Sequence, residues 1–193
     1  MSHAAHGSPT PATIVDPADL EVVANQLSRS PRAVRAIAHR CPCGNPDVVM
    51  TAPRLSDGTP FPTLYYLTCP RAAAAVSTLE SSGLMRDLTQ RLDDDPDLAH
   101  AYRDAHHAYL SARRGVAEVP EIAGVSAGGM PTRVKCLHVL VAHSLAAGPG
   151  VNAVGDIALS QLDPWWRAGP CVPRPSAPPG KSAADPPAVG PAG

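Results

Sequence analysis

Five cysteines and two histidines are the residues in this chain whose chemistry is hardest to read as surface or packing alone. Cys41 and Cys43 stand in a Cys-Pro-Cys-Gly string, a turn that holds two sulfurs in a stiff loop. Zinc sites often take two thiolates from such a turn, although the spacing here is C-x-C and no second matching pair follows. Cys69 precedes Pro70, where a helix is expected to start. Unpaired N–H groups and the helix dipole at that position favour a thiolate, so Cys69 suits a ligand or a nucleophile. Cys136, His138 and His143 fall in an apolar stretch expected to be one helix. On a regular helix residues 136 and 143 lie about 10 Å apart along the axis, and residue 138 is turned about 200° from 136. All three therefore cannot serve one ion. If Cys136 lies in a frayed first turn, Cys136 and His138 converge; otherwise Cys136 or His143 contributes alone. The expected metal set is Cys41, Cys43, Cys69, Cys136 and His138, with His143 as a substitute and zinc as the metal. Reduced thiols packed in a turn, and hydrogen-bonded core histidines, are the alternatives. Cys171 sits in a Pro-rich tail and is assigned no role.

A second chemistry is suggested by the loop from Gly124 to Pro131, which feeds Thr132-Arg133-Val134-Lys135. A Gly-rich loop leading into a helix with Arg133 and Lys135 in its first turn can hold an anion. Basic residues oppose the dipole there, which favours an anionic neighbour. The loop lacks the Gly-Lys-Ser/Thr ending of a nucleotide-binding loop, and an ordinary loop with a surface Arg and Lys is the plainer reading. With Cys69 as nucleophile, this loop would belong to a thiol- or metal-dependent enzyme acting on a small anionic or phosphate-bearing substrate. The run Asp93-Asp94-Asp95 reads as capping rather than ligation.

The elements that must position these residues form an α+β pattern. Asp16-Pro17 starts a helix, with Leu20, Val22, Val23 and Leu27 as its apolar stripe, and Pro31 ends it. Residues 33–41 fit a strand or a short helix. Residues 47–52 and 63–68 read as strands joined by a long loop around Asp57-Gly58. Helices follow from Pro70 to a break at Gly83, over 84–92, from Asp95 to about Arg114, over 132–147 and near 154–162. The stretch from Asp95 to about Arg114 places Leu98, Tyr102, Ala105, Tyr109 and Ala112 near one face. The expected fold is a small antiparallel β-hairpin or three-stranded sheet packed with four or more helices. Residues 16–163 are expected to be one domain, flanked by disordered tails at 1–15 and 164–193 whose composition cannot offset ordering entropy.

Composition narrows the function classes. Sixteen basic against seventeen acidic residues, net −1, argue against a general nucleic-acid or membrane-surface binder. No apolar run approaches a membrane span and no secretory signal is visible, so the chain is expected to be cytoplasmic. Cysteines in that compartment read as thiols or ligands rather than disulfides. Aromatics make up only 4% of residues, so the core is expected to rest on aliphatic side chains.

The strings RCPCGNPDVV, PRLSDGTPFPTLYYLTCP and AGGMPTRVKCLHVLVAH, followed by AAGPGVNAVGD, occur in this order. Over residues 17–163 the chain resembles domain-of-unknown-function family 501, best represented in actinobacteria. The family has no established activity, so the resemblance implies no reaction. Its members are often encoded near a septum-formation initiator and an exopolyphosphatase-like protein. The resemblance therefore implies a role near cell division or phosphate metabolism, with a protein of the division machinery as partner. Its motif positions map onto Cys41, Cys69, Cys136 and His138, with Cys43 completing the C-P-C form.

Overall fold

The structure, a computed structural model, describes residues 15–175. Helix α1 (Pro17–Leu27) opens as its sequence predicts: the Asp16 carboxylate accepts from the Ala18 N–H at 2.9 Å and Pro17 takes the first helical position. The helix stops at Leu27, where Ser28 turns left-handed, earlier than Pro31 required. Strands β1 (Val34–Arg40), β2 (Pro46–Thr51) and β3 (Tyr65–Leu67) form one antiparallel sheet in the order β1-β2-β3. The ambiguous stretch after Ala33 is therefore a strand. The register pairs Ile37 with Val49 and Val49 with Tyr66, and β1 carries irregularities near Ala36 and His39.

Helices α2 (Pro70–Ser81), α3 (Leu84–Asp94) and α4 (Pro96–Val116) follow. Gly83 separates the first two at φ +94°, a left-handed conformation that favours glycine. Asp95 caps α4 by accepting from the N–H groups of Asp97 and Leu98. The expected apolar face of α4 is real: Leu98, Tyr102, Ala105 and Tyr109 are buried and Ala112 partly so. The few tyrosines matter more than their number suggests. Tyr102 and Tyr109 are fully buried, and the Tyr109 hydroxyl accepts from the Leu64 N–H at 2.5 Å, fastening α4 to the segment entering β3. A short 3-10 turn at Pro120–Ile122 is pinned by Arg113, whose buried guanidinium donates to the carbonyls of Pro62, Ile122 and Val125.

Helices α5 (Leu137–Ala147) and α6 (Ala153–Ser160) complete the fold, and α5 packs against α6, β3 and α2. The helix expected over 132–147 starts five residues late. Gly128 and Gly129 adopt positive φ, and the Lys135 N–H closes back on the Gly128 carbonyl at 2.7 Å. A Cβ on Gly129 would lie 2.4 Å from the Arg133 carbonyl oxygen, so the turn needs glycine there. Residues 133–136 then stay outside any helix, and Cys136 is extended. Their backbone is satisfied by distant side chains: Thr89 accepts from Val134 N–H and the Tyr102 hydroxyl donates to the Arg133 carbonyl. These partners outbid helix formation, and no local pattern reveals them.

The three-stranded antiparallel sheet and six helices of the described residues agree with the expected α+β class. Residues 164–175, assigned by composition to a tail, make specific contacts with the body. Arg71 donates to the Gly169 carbonyl at 2.6 Å, Asn45 to the Val172 carbonyl at 2.9 Å, and Arg174 bonds Asp19 at 2.9 Å. Asp19 is buried, and the Arg40 guanidinium, joined by Arg174, holds its carboxyl below the usual range. The remaining tail assignments lie outside the described residues.

Helices α5 and α6 approach closely at Gly155. A Cβ on Gly155 would meet the Leu140 carbonyl oxygen at 2.4 Å and Ser144 Oγ at 2.5 Å. Gly155→Ala should therefore separate the helices and cost about 1–3 kcal/mol, read as a lowered urea midpoint with an unchanged slope.

Candidate metal centre

Cys136 is the N-cap of α5, in an extended conformation at φ −156°. That frees it from the helical rotation that would have turned it away from His138, and the two side chains meet at the start of the helix. The third member of the group comes from α2. Glu80 Oε1 accepts from the Leu137 N–H at 2.7 Å, so a carboxylate from α2 caps α5. The same oxygen lies 3.1 Å from His138 Nδ1. Glu80, Cys136 and His138 each offer a ligand atom, all within 4.8 Å of one another, and among the described residues no other group of three or more His, Cys, Asp or Glu does so.

His138 is fixed from its other edge. Nε2 sits 3.1 Å from the Ala73 carbonyl, which can only accept, so Nε2 carries a proton and Nδ1 is the nitrogen turned toward Glu80. This is the arrangement of a ligating histidine whose outer nitrogen is held by a backbone carbonyl. The contact with Cys136 raises the imidazole most, partial burial opposes it, and Glu80 adds to the rise, leaving His138 at about 9. An acid and a sulfur thus both favour the charged form of the imidazole between them.

Cys136 and His138 also line a cleft of about 740 Å³, whose other walls include Leu27, Tyr65, Tyr66 and Val139. Glu80 stands behind the two and is not part of that wall. The site therefore has one closed side, made by α2, and one side open to a largely apolar cleft.

Two of the five expected ligands are brought together here and three are not. Cys41 and Cys43 sit at the β1–β2 turn. Cys69 is the N-cap of α2, as expected, but it is buried and makes no capping hydrogen bond. Burial outweighs the dipole there and pushes its thiol up to about 11, the opposite of the activation expected for a nucleophile. Cys171, assigned no role, is partly buried: Gln26 Nε2 donates to its sulfur at 3.3 Å and it contacts Cys69. His143 is fully buried, stacked on Tyr65 and edge-on to Tyr109. Its Nδ1 accepts from the Asn152 amide at 3.1 Å, so the lone pair a metal would need is already used.

Arg133 and Lys135 are exposed and precede the helix instead of opening it. The helix end expected to hold an anion does carry one, but it is the chain's own Glu80. Glu80 was missed because nothing local marks it. The available signal was its position in the last turn of α2, where the helix's own dipole disfavours an acid and a partner elsewhere is needed.

A model of a protein family of unknown function, DUF501, matches residues 37–160. The chain belongs to this family. The match spans β1 to α6 and includes Glu80, Cys136, His138 and the Cys-Pro-Cys-Gly turn. No curated protein and no solved structure matches this DUF501 chain. No helix among the described residues is long and apolar enough to cross a membrane.

The burial of His143 makes a pH prediction. Desolvation lowers its pKa from 6.5 to about 4, so it is neutral when folded. The unfolded chain takes up the proton first as pH falls, so the stabilisation is complete above about 6.5 and is lost downward through the window to about 4. Urea unfolding at pH 7.5 and pH 4 should show a loss on the order of 2–3 kcal/mol attributable to this residue, absent from His143→Phe.

Proposed function

We propose that Glu80, Cys136 and His138 hold a zinc ion, with a further coordination position facing the cleft. The observation that carries the reading is the convergence, within 4.8 Å, of three donors of different type from two helices. Carboxylate, thiolate and imidazole are each common zinc ligands, and three protein ligands are the number found where zinc keeps an open position. The Ala73 carbonyl, holding Nε2, supports it as an outer-shell partner. Zinc in such a set polarises or activates a bound water or substrate group. The chain's own part is to bind the ion, fix the imidazole and present the open side to an apolar cleft.

A second reading is favoured by the same geometry without an ion. Cys136 and His138 face the cleft, and the Ala73 carbonyl holds the far nitrogen of the imidazole, a nucleophile beside a base whose ring is oriented from behind. That would make the chain a thiol enzyme with Cys136, not Cys69, as the attacking group. The exposed Arg133 and Lys135 do not line the cleft, so its walls favour an apolar ligand over a phosphate-bearing one.

Elemental analysis of chain purified without chelator should find one zinc per chain. Cys136→Ser and His138→Ala should abolish it. Glu80→Gln, which keeps an acceptor for Leu137 N–H but removes the charged ligand oxygen, should weaken affinity by at least the ~10- to 100-fold that loss of an outer-shell partner costs. Cys41→Ser and Cys69→Ser should retain full occupancy. Metal lost in those two and kept in Cys136→Ser would overturn the assignment. A metal-free chain alkylated selectively at Cys136 would favour the thiol reading instead.

A further inference from the structure

The cleft beside Cys136 and His138 has the edge of the sheet as one of its walls. Its lining includes Tyr65, Tyr66 and Leu67, the whole of β3. Successive strand side chains point to opposite faces, so a cleft that touches all three runs along the strand's edge rather than over one face. β3 is an outer strand, with β2 on one side of it. The ladder says which of its backbone groups point outward. The Thr68 N–H donates to the Asp47 carbonyl and the Thr51 N–H to the Leu64 carbonyl, both at 2.8 Å, on either side of the Val49–Tyr66 pair. Residues 64, 66 and 68 thus face β2, and Tyr65 and Leu67 turn their N–H and C=O groups to the open edge. Among the described residues no hydrogen bond reaches the N–H or C=O of Leu67.

The two outer strands of the sheet are built differently. An exposed edge pairs with a passing strand unless charge, proline or a bulge prevents it. β1, the opposite edge, has register irregularities at three places and carries Arg35 and Arg40. β3 has an unbroken register and no charged side chain. Among the described residues no Asp, Glu, Lys or Arg lines the cleft. Two buried side-chain atoms of lining residues lack partners as well. Gln26 is 7% exposed and Thr68 2% exposed, and Gln26 Oε1 and Thr68 Oγ1 make no hydrogen bond. The Gln26 amide nitrogen already donates to the Pro46 carbonyl, so its oxygen is the atom in need of a donor. The volume of about 740 Å³ lies within the ~300–1,000 Å³ of ordinary ligand sites.

We propose that the cleft takes an extended, uncharged peptide segment, which adds to the free edge of β3 as a further strand. Its backbone supplies what an apolar small molecule lacks: a C=O for the Leu67 N–H and an N–H for the Leu67 C=O. Its side chains alternate between the side of Tyr65 and Leu67 and the side of Tyr66. That alternation and the ladder bonds set its register. A peptide is then the class of substrate presented to the Glu80–Cys136–His138 centre, a statement that rests on the metal reading. The edge pairing itself needs no ion.

The test follows hydrogen exchange at the Leu67 amide of the full-length, isotope-labelled chain by NMR. The probe is a pool of acetylated, amidated tetrapeptides drawn from Ala, Val, Thr and Leu. Saturating pool should slow exchange at Leu67 by about tenfold or more, because the outward N–H becomes a ladder bond. The same pool methylated on its backbone nitrogens cannot donate to the Leu67 C=O, and at the same concentration it should give no protection. Equal protection by the methylated pool means that apolar filling suffices, and it overturns the proposal. So does a Leu67 amide that the pool leaves unchanged, or one already protected in the free chain. The measurement is made on zinc-loaded and on chelator-treated chain, beside elemental analysis. Protection in both forms supports the peptide site whatever the zinc content. One zinc per chain with no protection overturns the peptide site and leaves the metal reading standing.

Discussion

The first N–H groups of a buried helix need acceptors, and α5 has few ways to find them. It is apolar nearly all round and packed against the sheet, α2 and α6. Its N-cap, Cys136, makes no side-chain cap hydrogen bond. The acceptor comes from Glu80 in the last turn of α2. Placed there, the acid is disfavoured by its own helix and favoured by the one it caps. That single carboxylate ties α2 to α5, fixes where α5 begins, and sets an anion beside the imidazole one residue further on. The metal group is a consequence of how the helix is capped.

The same constraint explains why the sulfurs separate into two neighbourhoods. One sulfur, Cys136, joins an oxygen and a nitrogen at the α2–α5 junction. Four others lie around the end of the sheet near Asn45 and Pro46. Cys41 pairs with Asn45 across the turn, and Cys69 follows Thr68, which bonds Asp47. Gln26 bridges the Pro46 carbonyl and the Cys171 sulfur. The mixed donor set at the α2–α5 junction suits a metal with an open position. The other four sulfurs stay apart from it.

Most of the fold was legible because its signals are local. Asp16-Pro17, Cys69-Pro70 and Asp95-Pro96 mark helix starts by capping and proline geometry, and each start lies where the structure has it. The site was half legible. That Cys136 and His138 meet only if Cys136 escapes the helix is a matter of helical rotation, and the extended conformation of Cys136 meets that condition. Why it escapes was not legible: Thr89 and Tyr102, 45 and 31 residues from the backbone groups they bond, and a turn closed at Gly128 and Gly129 keep residues 133–136 out of the helix. Glu80 and Cys171 were invisible for the same reason. Each acquires its meaning from a partner distant in sequence.

X-ray absorption at the zinc edge of the loaded chain tests the central claim most directly, because it counts donor types without relying on any variant. A Glu80–Cys136–His138 centre predicts one sulfur at about 2.3 Å and the remaining donors nitrogen or oxygen at about 2.0–2.2 Å. A shell of two or more sulfurs would place the ion among the cysteines at the end of the sheet and contradict the account.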